Sequence, residues 1–391
     1  MNKLFNNKYF RVIAPIIAIA TAALAIIVVV DPWNTYDSEP EPNEPAVVNS
    51  ASESPPESTP EPTPEPTPEP TPVPDYDPDD PNIFNPLTGV LTHNDMSRNR
   101  PVAIMLSNVP EALPMNGVSE ADIIYEVLVE GGLTRMLAIF QDFYNVGTVG
   151  SIRSSRHYYV EIIQGYDAIY LHAGGSPLAY RMITNQGIDG ADEVRNRNAQ
   201  VFRRDRNRVS GRRFANLHSV VTSGELARQW FPEFGFRLEH EDNFVQTQMF
   251  TDNPIPAGAS ANEVIVRFSG AKTSNFSFDA TNNVYHMRQF NRDFTDGNNN
   301  ESVAFTNLLV LRTSVRTLSG PDGGSGRQDM DTTGTGSGYF ISNGRYVEIN
   351  WSRPSVDSPF SYTLPDGTPL ELGRGAIYVG IVPNTATITF N

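Results

Sequence analysis

Two glutamates, two arginines and one histidine are the residues of this chain whose types and spacing could do chemistry. Glu126 and Glu130 are four positions apart, which places both carboxylates on one face of either a helix or a strand. On a strand they would stand about 13 Å apart, farther than the roughly 5–9.5 Å that separates the paired carboxylates of glycosidases. The spacing is compatible with proton transfer, and equally with pairing to nearby arginines on a partly buried sheet face.

Arg153 and Arg156 occur in the segment SIRSSRH, at a predicted junction between a strand and a helix. Guanidinium groups and free backbone amides at such a junction favour phosphate or carboxylate ligands. The sequence predicts an anion-binding pair here. The alternative is that both arginines form salt bridges with the two glutamates.

His172 ends a predicted strand and is followed by Gly174, Gly175 and Ser176, a position from which a general acid or base could face a ligand. The alternative is a structural histidine. The chain has no cysteine, and its six histidines show neither HxxxH nor HExxH spacing. The sequence therefore predicts no metal site and no cofactor.

An arginine-rich stretch follows between positions 195 and 213, in a chain that has only three lysines. Its members predict a surface for a polyanion such as wall teichoic acid or a lipid head group, and the alternative is a solvated, partly ion-paired loop. The residues assigned to this surface are Arg203, Arg204, Arg206, Arg208, Arg212 and Arg213, with His218 close behind them. The net charge is −16, and the chain has no basic excess, so nucleic acid is not expected as a partner.

The elements that must position these residues follow an α/β order over residues 82–255. VAIMLSN and ADIIYEVLVE are predicted strands, and Ile123, Tyr125, Val127 and Val129 share one face of the second. RMLAIFQDF is its predicted hairpin partner across Gly131-Gly132. A helix is predicted from Ser154 to Ile163 with a serine cap, then a strand over Tyr166 to Gly175, then a helix opened by Ser176-Pro177. Residues 256–391 predict a mostly β domain of short strands.

The amino-terminal residues predict an anchor and a stalk. Residues 12–30 are 19 uncharged residues, long enough at roughly 28 Å to cross a bilayer core as a helix. Lys3, Lys8 and Arg11 precede this stretch, which predicts a cytoplasmic tail over residues 1–11 and everything else outside the cell membrane. Residues 31–81 hold fourteen acidic residues and no base, and predict a disordered, proline-rich, extended linker. The alternative to an anchor is a cleaved signal peptide, and that would also export the protein.

Several long motifs resemble the YerB-like family of bacterial envelope proteins, whose domain has no known function. The matching stretches are RPVAIMLSN, GVSEADIIYEVLVEGGLTRMLAIFQ, VGSIRSSRHYYVEI, YDAIYLHAGGSPLAY, GSGYFISNGRYVEINWSR and LPDGTPLELGRGAIYVGIVP. The resemblance implies a two-domain extracytoplasmic protein on a membrane anchor. Many relatives look like lipoproteins, whereas this chain has no cysteine to acylate. The family supplies no catalytic residues to carry over.

Two functions remain open from the sequence. The first is a non-catalytic envelope module that binds a wall polymer or a membrane protein complex. The second is an enzyme acting on a phosphate-bearing or glycan envelope substrate, in which Arg153 and Arg156 hold the anion and Glu126, Glu130 or His172 move protons. An enzyme requires these five side chains around one pocket, so their relative positions discriminate between the two.

Overall fold

The computed structural model describes residues 83–254 and 258–391, and the first of these two stretches alternates strands with helices. Its elements, numbered in chain order, are β1 (Val102–Asn108), β2 (Ile123–Leu128), β3 (Thr134–Phe140), β4 (Thr148–Gly150), α1 (His157–Gln164), β5 (Ile169–His172), α2 (Pro177–Asn185), β6 (Gly190–Asp192), β7 (Arg203–Arg204), β8 (Val220–Ser223) and α3 (Gly224–Phe234).

The remainder of the described chain is almost entirely β. Its strands are β9 (Phe250–Thr251), β10 (Ala259–Ser260), β11 (Glu263–Arg267), β12 (Thr273–Asp279), β13 (Val284–Gln289), β14 (Arg292–Asp293), β15 (Ala304–Phe305), β16 (Asn307–Thr313), β17 (Val315–Thr317), β18 (Gln328–Met330), β19 (Gly334–Ser342), β20 (Arg345–Arg353), β21 (Ser361–Thr363), β22 (Leu372–Gly373), β23 (Ile377–Pro383) and β24 (Thr387–Phe390). An α/β amino-terminal part followed by a mostly β carboxyl-terminal part agrees with the predicted fold class.

Both parts contribute strands to one mixed, eleven-stranded sheet. Its order is β10-β20-β19-β16-β23-β2-β3-β1-β5-β6, and β21 pairs with β20 outside this path. The seam lies where β2 runs parallel to β23, with Ile123 opposite Ile377 and Val127 opposite Ile381. Backbone hydrogen bonds and a continuous apolar surface therefore join the two parts through the middle of the sheet.

Each face of this sheet is covered by a different layer. On β2, Tyr125 and Val127 face a core that includes Tyr158 of α1 and Ile183 of α2. Ile124 of the same strand faces the other core, which contains α3 and a six-stranded sheet ordered β14-β13-β12-β11-β24 with β15 beside β13. The alternation of side chains along each strand thus builds a three-layer molecule with two separate cores.

The predicted hairpin and its faces are confirmed. β2 and β3 pair antiparallel from Ile123 opposite Ile139 to Leu128 opposite Thr134. The apolar residues predicted to share a face, Ile123, Tyr125, Val127 and Val129, all lie in the core beneath the helices. Glu130, however, is not a strand residue, because β2 ends at Leu128 and Glu130 begins a 3-10 turn. The expectation that both glutamates stand on one strand is wrong.

The predicted start is correct for one of the two helices and wrong for the other. Ser176 caps α2, its hydroxyl accepting a hydrogen bond from the Ala179 N–H, and Pro177 occupies the first turn as expected. The preceding helix begins at His157 rather than Ser154, with Arg156 at the cap position and no side-chain cap. Residues 151–156 instead run along the sheet, where their backbone groups bond to strand residues. Competing strand hydrogen bonds explain why the serine cap was wrongly predicted.

The predicted tail, anchor and linker over residues 1–81 lie outside the described residues. Among residues 83–254 and 258–391, no helix is long and apolar enough to cross a membrane. The boundary proposed between residues 255 and 256 falls in the short stretch that the structure does not describe, and it stays a prediction.

Asp167, in the turn between α1 and β5, joins the sheet edge to the segment after α3. Its carboxylate accepts two hydrogen bonds from Arg237, at 2.8 and 2.7 Å, and lies 3.0 Å from His240 Nδ1 and 3.3 Å from Arg100 Nε. Burial alone would raise the pKa of Asp167, but the hydrogen bonds and charges of these neighbours outweigh it and hold the pKa at about 2.

We expect this carboxylate to make stability depend on acid pH. Because its folded pKa lies below its unfolded value, its contribution is present above pH 4 to 5 and is lost as the pH falls towards 2. Between about pH 5 and pH 2.5 the wild type should lose about 1.5 kcal/mol more unfolding free energy than Asp167→Asn. Urea titrations at both pH values measure this difference. Equal losses in the two proteins would contradict it.

Candidate functional site

The carboxyl ends of the parallel strands β1, β5 and β6 meet at one edge of the large sheet. Open α/β sheets place ligands outside this edge, because the loops that follow the strands converge there. In this protein the segment from Ser151 to Arg156 runs across it. The Arg153 N–H donates to the Met105 carbonyl at 2.9 Å, and the Ala173 N–H donates to the Arg153 carbonyl at 3.1 Å. The backbone of Arg153 is therefore held between β1 and the end of β5.

The side chain of Arg153 lines an open cleft of about 420 Å³ at this edge. Glu193 and Arg204 line the same cleft, where they form a two-fold ion pair with each other at 2.6 and 2.8 Å. Among residues 83–254 and 258–391, no side chain or carbonyl accepts a hydrogen bond from the Arg153 guanidinium. Of the two arginines that line the cleft, Arg204 is paired with Glu193, so Arg153 is the one that is available to a ligand.

Further arginines stand behind Arg153 and outnumber the acidic groups near them. Glu130 accepts two hydrogen bonds from Arg156, both at 2.7 Å, so Arg156 is engaged within the fold. Arg135 donates to the Ser154 carbonyl at 2.5 Å. Burial, and then the charges of Arg156 and Arg153, lower the pKa of Arg135 to about 10. Burial and Arg156 also lower the pKa of Arg153. Burial is the larger cause of both shifts, and the neighbouring arginine charges add to it while Glu130 opposes them.

The rim of the cleft is partly apolar, and a neutral histidine lies nearby. Val194 and Leu217 line it and are 62% and 47% exposed. His218 is buried, and its Nδ1 has no hydrogen-bond partner in the described part of the chain. Burial, and then the charge of Arg153, lower the pKa of His218 to about 4. At neutral pH this imidazole is uncharged, so it adds a polar group and no positive charge to the site.

His172 is turned into the protein. Its Nδ1 lies 2.8 Å from the Gly174 carbonyl and 3.7 Å from Asp192 Oδ1, and its ring packs against Tyr170. Burial lowers the pKa of His172, although the charge of Asp192 opposes that effect. An imidazole that is 3% exposed and bonded to its own loop matches the alternative of a structural histidine.

Glu126 is sealed between the two sheets. It is fully buried, and its partner is a buried lysine, Lys272, whose Nζ lies 3.0 Å from Oε1. Four further donors hold its two oxygens at 2.6–2.9 Å: Asn108 Nδ2, Thr134 Oγ1, Ser274 Oγ and Tyr378 Oη. The expectation that Glu126 pairs with an arginine is therefore wrong, because the six-stranded sheet brings a lysine to it.

The five candidate residues do not surround one pocket. Glu126 points to the six-stranded sheet, whereas His172 packs beside Tyr170 on the helix-covered face of the large sheet. Glu130 is occupied by Arg156, and Arg153 alone opens to the cleft. The described residues also contain no group of three or more His, Asp or Glu side chains placed to hold a metal ion.

The six arginines of the predicted polyanion surface have separate environments. Arg208 is buried and donates to the carbonyls of Ala112, Pro114 and His218 at 2.5–3.1 Å. Arg204 is paired with Glu193, Arg206 donates to the Phe214 carbonyl at 2.9 Å, and Arg212 donates to the Glu111 carbonyl at 3.3 Å. Arg203 and Arg213 are exposed, and their side chains form no hydrogen bond or ion pair with any other described residue. Two of the six are thus fully available to a polyanion.

Lys272 is the residue that sequence reasoning missed. It is the only lysine after Lys8 in a chain with 29 basic residues. A single lysine among so many arginines could have indicated a position that requires an amine. The sequence could not reveal its partners, because Glu126 and Gln289 are 146 and 17 positions away.

Comparisons with known proteins agree with the resemblance noted in the motifs. Residues 87–229 match a family model described as "Protein of unknown function (DUF3048) N-terminal domain", and residues 264–379 match the corresponding C-terminal domain. A protein of Bacillus subtilis (strain 168) named "Putative lipoprotein YerB" is 30% identical over 302 residues, which is 76% of this chain and 86% of that protein. The crystal structure of the YerB protein from Bacillus subtilis is similar with a TM-score of 0.67 and 26% identity, over 79% of this chain and 100% of that one. The chain therefore belongs to the DUF3048 family, which includes YerB and has no known function.

Proposed function

We propose that this protein is an extracytoplasmic envelope module, anchored in the cell membrane, that binds an anionic group of a wall polymer or a membrane complex in the Arg153 cleft. The position of Arg153 carries this proposal. Its guanidinium lines an open cleft without an acceptor in the described chain, while Arg135 and Arg156 keep the surroundings positive. A planar guanidinium in such a place binds phosphate or carboxylate through two parallel hydrogen bonds.

The location rests on two observations. The similar Bacillus subtilis protein is named as a lipoprotein, which supports an attachment to the outer side of a membrane. This chain has no cysteine that could carry a lipid, but residues 12–30 have the length and apolarity of a membrane-spanning helix. We infer that a single-pass anchor replaces the lipid and that residues 31–81 serve as a spacer.

A binding role is favoured over catalysis by the environments of the candidate acids and bases. Glu126 is enclosed between two sheets and Glu130 is neutralised by Arg156, so neither reaches the cleft that Arg153 lines. His172 donates or accepts within its own loop. A general acid or base must come within hydrogen-bond reach of its substrate, and none of these three is placed to do so.

We expect Arg153→Ala to weaken the binding of a poly(glycerol phosphate) polymer by about 10- to 100-fold, the loss of one charge-assisted contact pair. Arg153→Lys should retain part of the affinity, because a lysine supplies charge without the planar fork. Isothermal titration of the full chain in detergent, with the polymer and with inorganic phosphate, measures both effects.

Arg288→Ala is the matched control, because Arg288 is an exposed arginine on β13 that pairs with Asp293 at 2.8 Å. It removes the same charge from a residue that does not line the cleft and should leave affinity unchanged. Equal weakening by Arg153→Ala and Arg288→Ala would reduce the effect to net charge and contradict a built site. Polymer binding that depends on Arg203 and Arg213 instead would move the site to the exposed arginine surface.

A further inference from the structure

Lys272 occupies an unusual environment for the only lysine in the described part of the chain. It precedes β12 and is 1% exposed, and its side chain enters the core between the two sheets. Gln289 ends the neighbouring strand β13 and stands opposite Ser274 in the antiparallel register. Since residues two apart share a strand face, Lys272, Ser274 and Gln289 lie on the same side of the six-stranded sheet.

The amine of Lys272 touches both an amide and a carboxylate. Nζ lies 2.5 Å from Gln289 Oε1 and 3.0 Å from Glu126 Oε1, and its third contact is Ser274 Oγ at 2.9 Å. The ring of Phe290 stands 4.7 Å from Nζ. Lys272, Gln289 and Glu126 thus bring a nucleophile, an acyl group and a proton acceptor together where the structure has no accessible surface.

Gln289 is the second unusual member of this group. It is fully buried, and its Nε2 has no hydrogen-bond partner among the described residues. A buried amide N–H without a partner is unfavourable, because it has lost its water and gained nothing in exchange. A reaction that releases Nε2 of Gln289 would break no hydrogen bond and would remove this buried amide group that has no partner.

We propose that Lys272 and Gln289 join in an intramolecular isopeptide bond, formed by the folded protein itself with Glu126 as the proton carrier. Glu126 Oε1 takes a proton from Nζ, and the neutral amine attacks Cδ of Gln289. The Nζ–Cδ bond forms and the Cδ–Nε2 bond breaks. Nε2 leaves as ammonia with one proton that comes from Nζ, delivered through Glu126, and a second Nζ proton stays on Glu126. One lysine ammonium, one carboxylate and one amide become one new amide, one carboxylic acid and one released ammonia, so no charge is left buried without a partner.

The surroundings favour this reaction over the competing ones. Burial lowers the pKa of Lys272, which eases the transfer of its proton to Glu126. The side chains of Thr134 and Tyr378 hold the carboxylate in place, so it needs no reorganisation. Exclusion of water prevents hydrolysis of the acyl group. A guanidinium stays protonated and is not a nucleophile, so this position requires a lysine in a protein that otherwise uses arginine.

Intact mass spectrometry of the full chain, extracted from membranes in detergent, tests this bond. Lys272→Arg is the matched variant, because it keeps the positive charge and cannot form the amide. We expect the wild type to be lighter than its sequence by one ammonia, measured against Lys272→Arg so that other modifications cancel. Trypsin should release a branched species in which residues 268–288, uncut at Lys272, are joined to residues 289–292.

The mass of the wild type distinguishes three outcomes: no bond, a bond to Gln289 and a bond to Glu126. A wild-type mass equal to that of its sequence overturns the proposal, and a loss of one water rather than one ammonia would place the bond on Glu126 and overturn the assignment to Gln289. Glu126→Gln should restore the full mass. If that variant does not fold, the wild-type mass and the branched peptide still decide, because neither measurement depends on it.

Discussion

Glu126→Gln is expected to lower the free energy of unfolding by about 3–5 kcal/mol, because it prevents the bond between Lys272 and Gln289 and leaves a buried charge without its partner. The substitution keeps the shape of the side chain but removes its charge. Without the carboxylate the bond proposed between Lys272 and Gln289 does not form, so Lys272 stays a buried cation without an anion. The new amide N–H₂ would face groups that are themselves donors, among them Thr134 and Ser274. Urea unfolding of the full chain, followed by tryptophan fluorescence, measures the change.

Glu348→Gln provides the control for this prediction. Glu348 is an exposed residue of β20, and the same chemical change there should alter stability by less than about 0.5 kcal/mol. Lys272→Met should also cost less in the Glu126→Gln background than in the wild type, because the first substitution has already removed both the bond to Gln289 and the carboxylate beside Lys272. Additive effects of the two substitutions would show that the contact does not couple these residues.

Arg353→Met is expected to destabilise the protein by about 3–4 kcal/mol, since it removes several donors from a fully buried site. Arg353 is 0% exposed and ends β20. Its guanidinium donates to the carbonyls of Glu161, Thr332, Val356 and Ser358 at 2.5–3.3 Å. Methionine fills most of the apolar stem but leaves these carbonyls without a donor, so the link between α1 and β20 is lost.

Arg345→Met is the matched substitution at the other end of the same strand. Arg345 is exposed, and its side chain makes one hydrogen bond within the described part of the chain, to the Gly258 carbonyl at 2.7 Å. Its loss should cost no more than about 1 kcal/mol. If both variants unfold at the same denaturant concentration, the carbonyls around Arg353 are satisfied in another way and the structural role assigned to it is wrong.

Local patterns in the sequence were sufficient for the strands and for one helix. The alternation from Ile123 to Val129 predicted both faces of β2, because a strand exposes its two sides to two layers whatever those layers are. Ser176 and Pro177 predicted the start of α2, because a cap depends on the three residues that follow it. The start of α1 was missed because the backbone on either side of Ser154 bonds to Ala173 and Gly174, in the loop after β5, and only the fold brings that loop to it.

The family, the absence of cysteine chemistry and the α/β-then-β order were all readable from the chain, because they depend on motifs, composition and periodicity alone. The site was only partly readable. The position of Arg153 before a helix predicted it as a candidate. Its guanidinium remains available to a ligand only because Glu130 forms its ion pair with Arg156.

The tertiary structure decided which charged groups are enclosed and which remain available. Glu126 and Glu130 look equivalent in the sequence, yet one meets Lys272 in a sealed core and the other meets Arg156 near the surface. The pleat of β2, its end at Leu128 and the packing of the six-stranded sheet produce that difference. Because the partners of a buried charge come from distant parts of the chain, no local pattern could have predicted the Lys272, Gln289 and Glu126 cluster.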